Sequence, residues 1–270
     1  MRTTMDLHLT GKRALVTGSS SGLGEAIVKA LAAEGADVVV HGRDRARTEA
    51  VAAAIRSGGG SAHVAIGDLA TDAGADAVAE AALSGGPIDI LVNNAGAYPH
   101  RSWHDVTADD WRQTYEVNVI SGVRMIKRVV PPMRERGWGR VIQIGGGLAA
   151  QPIADLPHYT ASLAARHNLA VSLARTLKGT GITSNIVSPG AILVDSVERF
   201  LTDLAPERGW GETWDEIERN SIEELVPNDV GRFGRPEEIA AAVLYLSGPL
   251  ADYVTGTTLR VDGGTVKGVH

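Results

Sequence analysis

A glycine-rich turn near the N-terminus has the residue types and spacing to bind a phosphate. Residues 17–24 read TGSSSGLG and stand between a β-branched run and an alanine-rich helical pattern. Glycines let a backbone turn sharply and approach a pyrophosphate, whose charge is bound by the amides of a helix N-terminus. Tight turns also use glycine for conformational reasons alone. The position after a first strand and before a helix favours binding of a dinucleotide.

The end of the second predicted strand indicates which dinucleotide this is. An acidic side chain there would bind the adenosine ribose hydroxyls of NAD and repel a 2′-phosphate. The sequence instead has Gly42 followed by Arg43, and a guanidinium pairs with phosphate through two hydrogen bonds. We therefore predict NADP(H) rather than NAD(H) as the cofactor. The alternative is that Arg43 is one of several solvated charges in the segment RDRAR at a helix start.

Composition argues against several other partners. The formal net charge is −6 and the basic residues are spread along the chain, so neither nucleic acid nor an anionic membrane surface is an expected partner. No stretch approaches the roughly 18 apolar residues of a membrane span. The sequence has no cysteine, so it carries no disulfide and no thiolate metal site. We expect a cytoplasmic protein that acts on a small molecule.

Metal binding is not expected either. His100 and His104 are four residues apart, but no third ligand beyond Asp105 is evident nearby. Such a pair is more often solvated or packed than bound to a metal.

The elements that must position these residues alternate along the chain. Short β-branched runs alternate with longer alanine- and leucine-rich patterns, which is typical of a parallel sheet with crossover helices. One α/β domain over residues 1–270 is predicted, because a chain of this length can bury one large core. The predicted strands are 13–17, 37–41, 62–66, 89–92, 140–144, 183–187 and 258–261, and the predicted helices are 23–34, 44–57, 72–84, 108–135, 156–178 and 236–247.

One segment interrupts this alternation. Residues 195–230 are rich in Trp, Glu and Pro and carry helical fragments before the last predicted strand. An insertion of this kind over a sheet edge is typical of a lid on a substrate pocket. We therefore predict that 195–230 covers the substrate.

Taken together, the motifs resemble those of the short-chain dehydrogenase/reductase family over nearly the whole chain. The spacing Gly-x-x-x-Gly-x-Gly at 18–24 is followed by NNAG at 93–96, after the fourth predicted strand. Further pieces stand in the family's order: Asp68 and Leu69, Asn118, Tyr159, Pro189 and Gly190, GRFGRPEE at 231–238, and RVDGG at 260–264. The resemblance implies a doubly wound, Rossmann-type parallel sheet of seven strands, a nicotinamide cofactor and a homo-oligomer, either a tetramer or a dimer.

The resemblance also implies roles for individual residues. Tyr159 would be the catalytic residue that moves the proton during hydride transfer between nicotinamide and a carbonyl or alcohol, with Asn118 in support. Asp68 would bind the adenine, and Asn94 would lie against the nicotinamide half. The implied cofactor-binding residues are Gly18, Ser20, Ser21, Gly22, Leu23, Gly24, Arg43, Asp68, Leu69, Asn94, Ala95, Gly96, Tyr159, Pro189, Gly190 and Ile192.

Three positions depart from the family's pattern. The family has a serine thirteen residues before the tyrosine and a lysine four residues after it, where this sequence has Gly146 and Leu163. The threonine that often holds the nicotinamide carboxamide corresponds to Val194. Losing one preorganised donor to an oxyanion lowers the rate by on the order of 10² to 10³. The sequence therefore predicts an atypical active site.

No neighbouring residue is expected to replace the lysine. Arg166 and His167 follow Tyr159 by about 11 Å along a helix, and the tyrosine side chain leans the other way. The glycine run 145–147 allows two interpretations. Its N–H groups could polarise a substrate oxygen, or it could leave room for a bulkier substrate, and the second is favoured.

Two functions fit these residues. The first is reduction of a small or medium carbonyl compound by NADPH, because reduction needs neutral Tyr159 as the acid whereas alcohol oxidation needs a tyrosinate that is scarce at pH 7. The second is a non-redox descendant, either a dehydratase or isomerase that uses Tyr159 or an inactive nucleotide-binding protein. Gly146 and Leu163 are the residues that raise the second possibility.

Overall fold

Seven strands form one sheet in the computed structural model, which describes residues 6–268 of the chain. The strands are β1 (Arg13–Val16), β2 (Asp37–Gly42), β3 (Ser61–Ile66), β4 (Ile90–Asn93), β5 (Gly139–Ile144), β6 (Ile182–Pro189) and β7 (Thr258–Val261). They lie in the order β3-β2-β1-β4-β5-β6-β7, and every neighbouring pair is parallel. The strand order reverses between β1 and β4, which is where an open α/β sheet has its ligand-binding crevice.

Helices connect the strands and cover both faces of the sheet. They are α1 (Gly22–Ala33), α2 (Arg45–Ser57), α3 (Asp72–Leu83), α4 (Ala108–Tyr115), α5 (Ser121–Arg136), α6 (Pro157–Thr176), α7 (Asp195–Arg208), α8 (Trp214–Leu225) and α9 (Pro236–Ser247). Successive strand residues point to opposite faces, so Ala14 and Val16 pack with α1, α2 and α9 whereas Leu15 packs with α3 and α5. The predicted doubly wound, seven-stranded parallel sheet is confirmed.

The segment between β6 and α9 has a small core of its own. Leu201 and Trp210 pack against Ile217, Ile222 and Phe233, separately from the two cores beside the sheet. The indole N–H of Trp210 donates to a Glu224 carboxylate oxygen at 2.6 Å. Helices α7 and α8 therefore pack on each other around a core that is separate from the two cores beside the sheet, and we refer to them as the α7–α8 unit.

One predicted helix is divided. The sequence predicts a helix over 108–135, but residues 116–120 form a π-helical turn between α4 and α5. Apolar residues continue through this stretch at helical spacing, so the pattern gives no sign of the extra residue in the turn. A π-turn inside a helix is frequent at functional sites, and this one carries Asn118. The other strands and helices end within two residues of the predicted bounds.

None of the helices found in residues 6–268 combines the length and the apolar character that a transmembrane span requires.

Candidate active site

A cleft of about 1400 Å³ opens at the carboxyl ends of β1, β4 and β5. The predicted catalytic and cofactor-binding residues line it, with the exception of Gly22. Gly22 stands at the first position of α1 with φ at +57°, a conformation that favours glycine. Residues far apart in the sequence therefore meet at the crevice that the strand order creates.

The turn between β1 and α1 is packed so closely that Gly24 cannot carry a side chain. A Cβ atom there would lie 2.2 Å from the carbonyl oxygen of Gly18 and 2.5 Å from the Asn94 amide nitrogen. A Cβ on Gly18 would lie 2.9 Å from the Cα of Ala95. The glycines thus let α1 begin directly against the ends of β1 and β4.

Asn94 joins the end of β4 to this turn. Its Nδ2 donates to the carbonyl oxygens of Thr17 and Gly18, both at 3.0 Å. The backbone N–H groups of Asn94 and Ala95 donate to the Thr17 hydroxyl, each at 3.0 Å. The Asn94 side chain therefore shapes the turn, and its predicted place beside the nicotinamide stays a prediction.

His41 accepts a hydrogen bond from the backbone of the glycine-rich turn, a role that the sequence analysis did not predict. The backbone N–H of Gly18 donates to Nδ1 of His41 at 2.8 Å, and Nε2 lies 3.2 Å from the carbonyl oxygen of Gly67. Because Nδ1 accepts, the proton is on Nε2 and the ring is neutral. Burial lowers the pKa of His41 to about 4. The only signal in the sequence is a histidine that ends a run of three valines in a buried strand.

Acid is therefore expected to weaken the fold through His41. The folded pKa of about 4 lies below the usual 6.5, so the unfolded chain takes up the proton first as the pH falls through this window. The resulting stability is complete above pH 6.5 and is lost toward pH 4, by about 3 kcal/mol in total. Urea unfolding at about pH 7.5 and about pH 4.5 measures this loss.

A matched pair of variants isolates the imidazole. His41→Asn keeps an acceptor near the Gly18 N–H without a titrating ring, so its free energy of unfolding should depend less on pH than that of the native chain. His104→Asn removes an exposed histidine and should keep the native slope. Equal slopes for His41→Asn and His104→Asn would show that another group is responsible.

The end of the cleft beside β2 has a cation and lacks a carboxylate at the end of that strand. Arg43 is exposed there and makes no hydrogen bond or ion pair with any residue of 6–268. A Cβ on Gly42 would lie 2.7 Å from the Ser20 hydroxyl and 2.4 Å from the Thr48 hydroxyl. An acidic side chain at position 42 would therefore require the Ser20 and Thr48 side chains to move.

The third strand end contributes Asp68 and Leu69 to the same part of the cleft. One Asp68 carboxylate oxygen accepts from the Ala70 N–H at 3.0 Å, and Leu69 is buried. Their predicted contact with the adenine is compatible with this position.

Tyr159 lies in the first turn of α6 and lines the cleft. Its hydroxyl has no hydrogen-bond partner within residues 6–268, and its ring centroid is 6.3 Å from that of Tyr98. Burial raises the pKa of Tyr159, the charge of Arg166 lowers it, and Tyr98 raises it; the net shift is upward. The phenol is therefore protonated at neutral pH and free to donate.

Asn118 in the π-turn ties α6 to the loop after β4. Its Oδ1 accepts from the Ala97 N–H at 2.8 Å, and its Nδ2 donates to the Ala97 oxygen at 2.9 Å. The same Nδ2 donates to the Ser162 hydroxyl at 3.0 Å. The side chain is fully bonded to protein groups, so it positions α6 while its backbone oxygen stays available to Arg166.

The glycine run after β5 makes room for side chains of α6. A Cβ on Gly146 would lie 3.1 Å from Cδ1 of Leu163, and one on Gly145 would lie 2.4 Å from Nε2 of His167. This chain's own side chains fill the space at these two positions. All three glycines nevertheless line the cleft, so the expectation that the run makes room for a bulkier substrate stays a prediction.

The guanidinium of Arg166 reaches the floor of the cleft. Nε donates to the carbonyl oxygen of Asn118, Nη1 to that of Ile144 at 2.6 Å, and Nη2 to that of Ala95. Arg166 therefore reaches the cleft despite its distance from Tyr159 along α6, and the expectation that it does not replace the lysine stays a prediction. Helical side chains lean toward the N-terminus, and the long arginine uses this lean to cover the distance.

The side of the cleft formed after β6 carries Pro189, Gly190, Ile192 and Val194. The Gly190 N–H donates to the Val261 oxygen at 3.1 Å, which fixes the end of β6 against β7. Val194 directly precedes α7. These residues bring the start of the α7–α8 unit to the edge of the cleft.

No cluster of three or more histidine, aspartate or glutamate side chains suited to a metal ion occurs in the part of the chain that the structure describes.

Comparison with known proteins relates this architecture to a large enzyme family. A family model described as short chain dehydrogenase matches residues 12–204. An uncharacterized oxidoreductase of Bacillus subtilis (strain 168) is 38% identical over 268 residues, which cover 98% of this chain and 100% of the relative. Two solved structures are also similar over nearly their whole length.

The first solved structure is L-sorbose reductase from Gluconobacter frateurii, complexed with NADPH and L-sorbose. It is 33% identical with a TM-score of 0.92, and the match covers 98% of this chain and 100% of that one. The second is a 3-oxoacyl (acyl-carrier-protein) reductase from Agrobacterium tumefaciens C58 with NADP bound. It is 36% identical with a TM-score of 0.86, and the match covers 98% of each chain.

Proposed function

The chain belongs to the short chain dehydrogenase family, and from this premise we propose that it is an NADPH-dependent reductase of a small or medium carbonyl compound. The observation that carries the proposal is the Tyr159 phenol, which lines the cleft, is protonated at neutral pH and has no partner within residues 6–268. The L-sorbose reductase with NADPH supports both the reaction and the cofactor by similarity.

The groups around the glycine turn fit a dinucleotide. The hydroxyls of Ser20 and Ser21 and the amides of Leu23 and Gly24 in the first turn of α1 make no hydrogen bond to residues 6–268, and these residues line the cleft. Amides at a helix N-terminus bind a pyrophosphate. Arg43 is suited to a 2′-phosphate, while Ile192 and Val194 would adjoin the nicotinamide.

In this mechanism the nicotinamide, when bound, supplies a hydride to the carbonyl carbon. Tyr159 donates its proton to the carbonyl oxygen and regains one from solvent, so that the products are an alcohol and the oxidised cofactor. The raised pKa of Tyr159 favours this direction, because an alcohol oxidation would need the ionised phenol.

The active site is atypical in this proposal. Gly146 offers no hydroxyl to the substrate oxygen, and Leu163 fills the adjoining space instead of presenting an ammonium group. Tyr159 is thus the one side-chain hydroxyl assigned to the substrate oxygen, and we expect a slow enzyme with simple carbonyl compounds.

The α7–α8 unit is proposed as the substrate lid. Its members Phe200 and Leu204 line the cleft, and Phe200 is 58% exposed. Because the unit has its own core, it can approach the sheet without repacking, as lids that exclude water do.

Loss of Arg43 is expected to weaken NADPH binding selectively. Arg43→Ala removes a charge-assisted contact to the 2′-phosphate, which at this exposed site corresponds to about a tenfold rise in the Kd for NADPH. The Kd for NADH should change by less than about twofold. Titration followed by cofactor fluorescence measures both constants.

Arg45→Ala is the matched control, because Arg45 is an exposed arginine two residues along that does not line the cleft. It should bind both cofactors as the native chain does. A parallel loss of NADPH and NADH affinity in Arg43→Ala would contradict the phosphate assignment.

The reductase proposal is tested by following NADPH oxidation with a panel of carbonyl probes that includes L-sorbose and 2,3-butanedione. Turnover with any probe supports it. Tight NADPH binding without turnover across the panel would favour the second candidate, a non-redox protein of the same family, for which Gly146 and Leu163 are the specific observation.

A further inference from the structure

Arg166 presents a buried positive charge that no carboxylate neutralises among residues 6–268. The side chain is 5% exposed, and its three hydrogen bonds all end on neutral carbonyl oxygens. Burying an unpaired charge is strongly unfavourable. A neutral hydrogen-bond donor could link the same carbonyl groups without the cost of burying a charge. The positive charge of Arg166 therefore indicates a role beyond structural support.

The three carbonyl groups belong to segments that build one part of the cleft. This part is lined by Tyr159, Leu163 and Arg166, and we name it the reaction end. Ala95 follows β4, Ile144 ends β5, and Asn118 stands in the π-turn. A guanidinium has five N–H donors, and this network engages three of them, one on each nitrogen. One N–H on Nη1 and one on Nη2 have no hydrogen-bond partner within residues 6–268, and Arg166 lines the cleft.

The Arg166 side chain can place a positive charge near Leu163, the position where the family has its lysine. Residues three apart on a helix share a face, and Leu163 and Arg166 both line the cleft next to Tyr159. Leu163 packs on Gly146 and carries no charge. Arg166, one turn further along α6, has a side chain long enough to place a cation in this part of the cleft.

We propose that Arg166 supplies the positive charge of the reaction end of the cleft, acting on Tyr159 and on the nicotinamide half of the cofactor. This inference rests on the proposed function, since it assumes that NADP(H) occupies the cleft. Arg166 is in this view a positioning and electrostatic residue, with its charge held from a different turn of α6 than the family's lysine.

The ionisation of the two groups agrees with this role. Burial lowers the pKa of Arg166 and the charge of Tyr159 raises it, and the net value is about 10. The guanidinium therefore remains charged at neutral pH. In return, the Arg166 charge lowers the pKa of Tyr159 against the effect of burial.

The test compares the affinities for oxidised and reduced cofactor. The oxidised nicotinamide ring carries a positive charge that the reduced ring lacks, so a nearby cation favours NADPH over NADP⁺. In Arg166→Gln, which keeps amide donors but loses the charge, the ratio of the two Kd values should move toward NADP⁺ by about tenfold. Arg166→Lys, which keeps the charge, should stay close to the native ratio.

A rescue variant separates charge from packing. Arg166→Gln combined with Leu163→Lys returns a cation to the same face of α6 and should restore the native ratio. A role in packing alone would raise both Kd values equally in Arg166→Gln and leave their ratio unchanged, which would overturn the proposal.

Folding is checked by thermal unfolding of each variant. If Arg166→Gln does not fold, Leu163→Lys in the native background is the test variant. It adds a second cation beside Arg166, so the ratio of the Kd values for NADP⁺ and NADPH should shift further in favour of NADPH. An unchanged ratio there overturns the inference. A native protein that binds neither NADP⁺ nor NADPH contradicts the proposed function itself and is recognised before any variant is made.

Discussion

Replacing Tyr159 by phenylalanine is expected to lower kcat for carbonyl reduction by about 10² to 10⁴-fold. The substitution removes the only side-chain hydroxyl that we assign to the substrate oxygen, and Gly146 provides no second one. The Tyr159 hydroxyl makes no hydrogen bond to residues 6–268, so its loss should leave the free energy of unfolding nearly unchanged. Initial rates of NADPH oxidation with the best carbonyl probe measure the effect.

Tyr115→Phe provides the matched control for this loss. Tyr115 ends α4 and stacks on Trp111 outside the cleft, so removal of its hydroxyl should leave kcat as in the native chain. Activity in Tyr159→Phe within about threefold of this control would mean that a group other than Tyr159 protonates the substrate.

The second large effect is expected at Gly24. In Gly24→Ala the new Cβ would lie 2.2 Å from the Gly18 oxygen and 2.5 Å from the Asn94 amide nitrogen. Because one neighbour is backbone and the other is bonded to the turn, the clash must open the turn itself. We expect the Kd for NADPH to rise at least about 100-fold, with a loss of stability of about 1–3 kcal/mol.

Gly58→Ala controls for the change of residue type. Gly58 follows α2 with φ at −81°, and a Cβ there would meet its nearest neighbour at 3.4 Å, an ordinary contact. It should bind NADPH like the native chain. Native affinity in Gly24→Ala, measured by the same titration, would show that the turn adapts and that its close packing is not required for binding.

Backbone-determined features of the site could be predicted from the sequence. Residues 17–24 and the alternation of strands and helices fix the turn, the sheet and the crevice, because glycine spacing and hydrophobic period report directly on main-chain geometry. The predicted positions of Tyr159 and Arg43 at the cleft follow from the same order of elements.

Features that depend on side-chain reach could not be predicted, nor could one local change in the backbone. The distance along α6 argued against Arg166, but the lean and length of its side chain carry the guanidinium to three carbonyl groups. The π-turn at Asn118 leaves the apolar pattern intact, so the sequence predicts an unbroken helix there. His41 is one polar residue in an apolar strand, and its partner Gly18 is 23 positions away.

The glycine run after β5 illustrates a different limit. Gly145 and Gly146 indicate close approach, but the sequence does not tell whether the approaching group is a substrate or another part of the chain. In the structure, His167 and Leu163 of α6 lie beside these two glycines. No sequence spacing rule predicts this contact between α6 and the end of β5.

The most direct test of the account is whether this protein transfers a hydride. NADPH carrying deuterium at C4 of the nicotinamide, prepared separately for each face of the ring, is incubated with the protein and a carbonyl probe, and the alcohol product is analysed by mass spectrometry. We expect an alcohol with one deuterium on the former carbonyl carbon, delivered from one of the two labelled cofactors. Tight binding of NADPH with no deuterated alcohol from any probe would contradict it and would favour a non-redox role for the site.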